Sequence, residues 1–167
     1  MVSTISKQKL YSTRIDLPED VRVRAIEILN KTLAATLDLK TQTKQAHWNV
    51  KGMNFYQLHE LFDEIATELE EYVDMVAERV TALGGTALGT ARIAAESSIL
   101  PEYDLDAVSG AEHVTALADR FGIYVQHVRD AIATTDELGD ADTADLYTEI
   151  SRTADKRLWF LEAHIVI

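Results

Sequence analysis

The sequence predicts an all-α protein, built as a four-helix bundle with one long connection. Three observations carry that prediction. Apolar residues recur at spacings of three and four over four long segments. Only two prolines and seven glycines interrupt 167 residues. No stretch alternates apolar and polar residues as a half-buried strand would.

The first helix opens near "DLPED", with Pro18 in the first turn and acidic residues complementing the helix dipole. Val21, Ala25, Ile28 or Leu29, Leu33 and Leu37 form its stripe to about Asn49, and Gly52 breaks it. The second starts around Asn54. Its stripe includes Phe55, Leu58, Phe62, Ile65, Leu69, Val73, Val76, Val80 and Leu83, and Gly84-Gly85 ends it. The third runs from about Gly110 to Thr135 on Val114, Leu117, Phe121, Val125, Val128 and Ile132. The fourth runs from about Thr143 to His164 on Leu146, Ile150, Ala154, Leu158, Leu161 and Ile165, with Asp142 or Thr143 as its cap.

Short loops make helices one and two, and three and four, antiparallel pairs. About 25 residues separate the second from the third, and "TARIAAESSIL" within them reads as a short helix. Such a crossover carries the chain back along the bundle, which is the ferritin-like topology. The whole of 1–167 reads as a single domain with a flexible N-terminal tail, 1–15.

Composition narrows the chemistry. Hydrophobic residues make up 47% and charged ones 26%, as in a soluble globular chain. No apolar run is long enough to span a bilayer, and "MVSTISKQKLYSTR" lacks a signal peptide's apolar centre, so a cytoplasmic protein is expected. With no cysteine, disulfides, thiolate metal sites and thiol catalysis are excluded. A net charge of −12 disfavours phosphate and favours cations as partners.

His59, Asp63, Asp74 and Glu78 sit near 0°, 40°, 60° and 100° around the second helix, at about 100° per residue. They share one face. The pairs 59/63 and 74/78 nevertheless lie about 22 Å apart along the axis, too far for one ion. Two such helices laid antiparallel across a two-fold axis near Glu68 and Leu69 would set 59/63 of one chain against 74/78 of the other. Imidazole with carboxylate suits Fe²⁺, Zn²⁺ or Mn²⁺, and His47 could complete one side. The intra-bundle alternative uses Glu-x-x-His, and that motif is missing. Solvated i,i+4 pairs on a helix surface explain the same spacing, so spacing alone leaves both readings open.

The motifs "KQAHWNVKG", "F-x-x-L-H-x-x-x-D" and "D-x-x-A-E-R" followed by "LGG" resemble the Dps family, the mini-ferritins also called DNA-binding proteins from starved cells. The resemblance continues through "ADRF", "DTADLYTEISR" and "DKRLWFLEAHI", and covers nearly the whole chain after Tyr11. It implies a homo-dodecameric cage that stores iron and protects against oxidative stress. It implies oxidation of Fe²⁺ by hydrogen peroxide, or more slowly by dioxygen, at an intersubunit ferroxidase centre. His47, His59 and Asp63 would come from one chain, and Asp74 and Glu78 from its mate. Lys44 matches a lysine that pairs with the site carboxylate, and Trp48 lies beside the centre to donate or trap electrons. Zinc could occupy the same ligands.

In "DELGDADTAD", Asp136, Asp140, Asp142 and Asp145 match the position of aspartates that line three-fold pores in the family. An acidic helix-capping loop is the plainer reading. Some members bind DNA through a lysine-rich tail, which makes a nucleoid-protecting protein the alternative function. Here only Lys7, Lys9 and Arg14 precede Asp16, and nothing basic follows the last helix. Weak or absent DNA binding is expected. His113, His127 and His164 are read as surface or core residues, and Trp159 and Phe160 as packing residues.

Overall fold

The computed structural model describes residues 9–165. The expected tail residues 1–8, with Lys7, and the last two residues lie outside that range. Five helices follow in order: α1 Glu19–Asn49, α2 Phe55–Ala82, α3 Ala91–Ser97, α4 Gly110–Glu137 and α5 Ala141–Glu162. The only β feature among the described residues is an isolated bridge between Lys51 and Ser109.

Side-chain pairs give the topology. Lys40 meets Glu70 and Lys44 meets Asp63, so α2 runs antiparallel to α1. Thr36 meets Tyr124 and Gln42 meets Arg120, so α4 also runs antiparallel to α1. Tyr72 meets Thr153 and Glu68 meets Arg157, so α5 runs antiparallel to α2. Helices α2 and α4 are therefore parallel, which is why the crossover must return along the bundle. The predicted four-helix bundle with a helix-bearing crossover is the observed fold. α3 packs on α1.

The core fills from the predicted stripes. Phe62, Phe121, Leu29, Leu33, Ile65, Leu117 and Ile150 are fully buried. Burying side chains of this size removes each from water at a gain of about 1.5–3 kcal/mol. Polar residues also enter α1 without penalty. Thr32, Thr36 and Thr43 return their hydroxyls to the carbonyls of Ile28, Thr32 and Leu39 at 3.0, 2.8 and 2.7 Å. Trp159, expected to pack, is 63% exposed and stands edge-on to Phe160.

Helix ends follow local chemistry. α2 closes with a Schellman motif: Gly84 N–H bonds Thr81 O and Gly85 N–H bonds Val80 O, both at 2.9 Å. Gly84 has φ +89°, and a Cβ there would lie 2.3 Å from the Tyr11 carbonyl oxygen. Tyr11 N–H in turn bonds Gly84 O at 2.7 Å. The expected tail of 1–15 is thus anchored from Tyr11 onward. α4 closes by the same motif on Gly139, and Asp140 both completes it and caps α5. The expected caps, Asp142 and Thr143, are corrected: Thr143 N–H donates to the Asp140 carboxylate at 3.1 Å. α5 starts earlier than expected because Asp140 is already in place.

The crossover is stapled to α1 over its length. Asn30 bonds the backbone of Thr86 and Leu88 at 3.1 and 2.9 Å. Asp38 accepts from Ser98 Oγ at 2.6 Å, and Gln42 donates to Pro101 O at 3.1 Å.

Candidate metal centre

The last turn of α1 and the first turns of α2 place the candidate ligands. Lys44 and His47 fall three apart on α1, and His59 and Asp63 four apart on α2. Each pair shares a helix face, and the antiparallel pairing sets the two faces together. The turn between them is short because Gly52 takes φ +115°.

His47 Nδ1 and the His59 carbonyl oxygen are 2.7 Å apart, and His59 Nδ1 and the His47 carbonyl oxygen 2.8 Å. A carbonyl only accepts, so each ring carries its proton on Nδ1. In the neutral ring Nε2 then carries the lone pair, the form a metal takes. The rings stack at 3.7 Å between centroids. His47 Nε2 lies 3.9 Å from Asp63 Oδ1.

Lys44 Nζ donates to Asp63 Oδ1 at 2.5 Å. That bond, against a small cost of burial, holds the Asp63 carboxyl below its ordinary range, with the charge of Lys44 and then of the two imidazoles adding to it. Asp63 is half-exposed and its charged form is ready for a cation. Lys44 also stands over Trp48, 5.8 Å from the ring. Trp48 is 67% exposed, and Met53, Phe55 and Tyr56 in the following turn and start of α2 are exposed too.

Asp74 and Glu78 are exposed on α2, away from this cluster. Among the described residues of one chain, no three His, Asp or Glu side chains lie close enough to hold a metal. The bundle interior offers no alternative. Among the described residues, its central polar contacts are hydroxyls paired with one another or with an imidazole: Thr36 with Tyr124 at 2.9 Å, and Thr32 with Tyr147 at 2.8 Å and His127 at 2.9 Å. The one buried carboxylate among the described residues is Asp140, at the bundle's end.

An open groove continues from Asp63, lined by Glu60, Glu64, Thr67, Glu68 and Arg157. Arg157 holds Glu68 through two bonds of 2.6 and 2.7 Å and Glu64 through one of 3.2 Å. Glu60 and Glu64 remain exposed. The periodicity gave no sign of this clamp, since Arg157 looks like any charge flanking an apolar stripe.

The four candidate pore aspartates divide. Asp136, Asp142 and Asp145 are exposed. Asp140 is 1% exposed and committed on both oxygens: Arg79 at 2.6 Å, and Thr143 N–H and Oγ at 3.1 and 2.5 Å. Arg79 also donates to Thr143 Oγ1 at 2.8 Å. Asp140 is a helix cap with no oxygen left for a passing ion.

Comparison with known proteins agrees with this architecture. Residues 26–166 match the family described as a ferritin-like domain. The chain is 45% identical over 157 residues to the DNA protection during starvation protein of Agrobacterium fabrum, covering 94% of this chain and 97% of that one. It is 34% identical to the protein of the same name from Brevibacillus brevis, over 83% of this chain and 92% of that one. Among solved structures, DpsC from Streptomyces coelicolor superposes with a TM-score of 0.91 at 36% identity, covering 95% and 93% of the two chains. The Vibrio cholerae DPS protein, described as a member of a broad superfamily of ferritin-like diiron-carboxylate proteins, gives 0.87 at 26% identity over 95% and 99%.

Proposed function

This chain belongs to the Dps family of ferritin-like proteins, and on that premise we propose that it is a cytoplasmic ferroxidase and iron store. It oxidises Fe²⁺ with hydrogen peroxide, or more slowly with dioxygen. The ferric product is kept inside a homo-dodecameric cage, and oxidative damage is thereby limited.

One observation carries the reading. Two imidazoles, each held at Nδ1 by a backbone carbonyl, stand near a charged Asp63, and among the described residues no second carboxylate of the same chain completes a metal-binding group. Asp74 and Glu78 supply the missing donors when a second copy of α2 crosses antiparallel. The exposed Trp48, Met53, Phe55 and Tyr56 form an apolar rim that suits such a neighbour.

In chemical terms, two Fe²⁺ give two electrons to one peroxide, which takes two protons and leaves as two waters. Paired delivery avoids the hydroxyl radical that a one-electron step would release. Carboxylate oxygens favour Fe³⁺ over Fe²⁺ and so pull the oxidation forward. The Lys44 ammonium, held on Asp63, occupies the place of a cation until iron arrives. Trp48 stands within reach to trap or donate an electron. Asp136, Asp142 and Asp145 focus cations toward the cage interior as a pore ring. Zinc in the same ligands would bind without turnover and compete with iron.

DNA binding is weak or absent on this reading. Twelve copies of a −12 chain carry a charge of order −140. Repulsion from phosphate then dominates at ordinary salt. A gel shift at moderate salt without divalent metal reads this directly, and tight retardation reverses it.

Mixed assembly tests the shared centre. One variant lacks the imidazoles, His47→Ala with His59→Ala, and the other lacks the carboxylates, Asp74→Asn with Glu78→Gln. Each alone is inactive. Co-assembled at equal amounts, half of the pairs are mixed and each has one intact site, so about a quarter of wild-type oxidation returns. No recovery in well-mixed cages refutes a centre shared between chains.

A further inference from the structure

Helix α2 carries acid on two adjoining faces. Asp63 stands with the histidines, and Glu60, Glu64 and Glu68 follow at spacings of four along the groove that opens beside it. Carboxylates crowded into about two helical turns are hard oxygen donors that would compete for one entering cation. Yet among the described residues no group of three His, Asp or Glu is placed to hold a metal.

Two cations from other helices hold part of this row, and they hold it differently. Lys44, from α1, donates one bond of 2.5 Å to Asp63 Oδ1. Its side chain is 30% exposed and that of Asp63 52%. A single bond from a flexible ammonium in reach of water exchanges readily for a metal.

Arg157, from α5, grips Glu68 with a fork: Nε donates to Oε2 at 2.6 Å and Nη2 to Oε1 at 2.7 Å. Nη1 adds a bond of 3.2 Å to Glu64 Oε2. Both oxygens of Glu68 and one of Glu64 are thereby spent. The Arg157 side chain is only 8% exposed, and its guanidinium lies over the Phe160 ring, 5.6 Å from the centroid. The bond to Glu68 raises the Arg157 titration against the opposing cost of burial, so the charge is permanent. A buried, planar, bidentate cation of this kind does not give way to a metal.

A tie between α5 and α2 needs no charge here. Tyr72 donates to Thr153 at 2.8 Å one turn away and already makes one. The clamp falls instead in the groove that begins at Asp63, on the carboxylates next in line.

We propose that Arg157 is a specificity-determining residue: it occupies Glu64 and Glu68 as a resident cation, and so confines an entering divalent metal to the His47–His59–Asp63 end of the groove. This rests on the reading of that end as a metal site. Arg157 acts by withholding oxygen donors, not by touching the metal.

The test counts ions on the assembled protein with Mn²⁺, which suits oxygen ligands and whose free form is read by EPR. Arg157→Met keeps a long unbranched side chain to pack on Phe160, and is expected to bind about one more Mn²⁺ per chain than the wild type. Adding Glu64→Gln and Glu68→Gln is expected to return the count to wild type. Arg157→Lys keeps the charge but loses the fork, and is expected to take the extra ion about tenfold more weakly than Arg157→Met. A wild-type count in assembled Arg157→Met overturns the proposal, as does an extra ion that survives the two Gln changes. Should Arg157→Met not assemble, Arg157→Lys decides alone: an extra ion supports the clamp and none overturns it. His47→Ala with His59→Ala separates the two readings. If that pair leaves Zn²⁺ binding unchanged, the metal-centre reading fails, and the Mn²⁺ count in Arg157→Met still judges the clamp.

Discussion

Two corners of the molecule hold comparable charged groups and treat them in opposite ways. At the α1–α2 corner, His47, His59 and Asp63 each spend one polar atom on the fold and leave another open. At the α4–α5 corner, Asp140 spends every bond on Arg79 and Thr143 and is buried. The first corner is partly satisfied and exposed, so it has free donors for a ligand. The second is saturated, so it fixes backbone. Carboxylate type and helix position do not distinguish them. Unspent lone pairs do.

The contrast is broken most severely by removing a candidate ligand. His59→Ala should lower the initial rate of Fe²⁺ oxidation by at least about 100-fold. Thermal unfolding of the assembled cage should move little, because His59 is only partly buried. A stopped-flow trace at the ferric absorbance beside a melting curve checks both. A large loss of stability would make this corner structural as well.

Asp140→Ala should do the reverse. It uncaps α5 and strands Arg79, whose side chain is 15% exposed, at a cost of about 3 kcal/mol. Chemical denaturation measures this, and an unchanged midpoint would erase the distinction between the corners. The ferroxidase rate per folded centre should hold.

A smaller effect separates Asp140 from its neighbours. Asp136→Asn with Asp145→Asn should slow iron uptake several-fold on electrostatic grounds, with assembly intact. Uptake at wild-type rate in low salt would leave these groups as loop solubility only.

The smallest change sharpens the open corner. Lys44→Met removes the main cause of the lowered Asp63 titration, so its midpoint should rise toward the ordinary carboxylate range. The sign for stability follows. Asp63 contributes above its unfolded value and loses that contribution as pH falls through the lower folded value. The variant should lack this acid-side loss. The effect is slight because both side chains are partly exposed, 30% and 52%. Carbon-detected NMR of the Asp63 carboxyl follows it.

Most of the fold was legible in the sequence because the apolar stripes are long and their ends are marked by Gly52 and Gly84. Four of the five candidate ligand positions were legible as a shared face of the second helix, with His47 on the first, and the separation of the two pairs pointed to a second chain. Other features were hidden. Asp140 could not be told from Asp142 by type, since burial depends on Arg79, 61 residues away. His113 looked like a lone core histidine, and the structure buries it with its ring bonded to Tyr103 in the crossover. Trp159 was expected to pack on residue type alone, yet it lies off the apolar stripe and is exposed.

Asp140 ends one helix and begins the next. With both duties on a single residue, the hairpin between α4 and α5 has no slack. An epitope tag or grafted peptide inserted there would force two different residues to do what one does now. Engineers seeking to display cargo on this scaffold should expect that corner to refuse it.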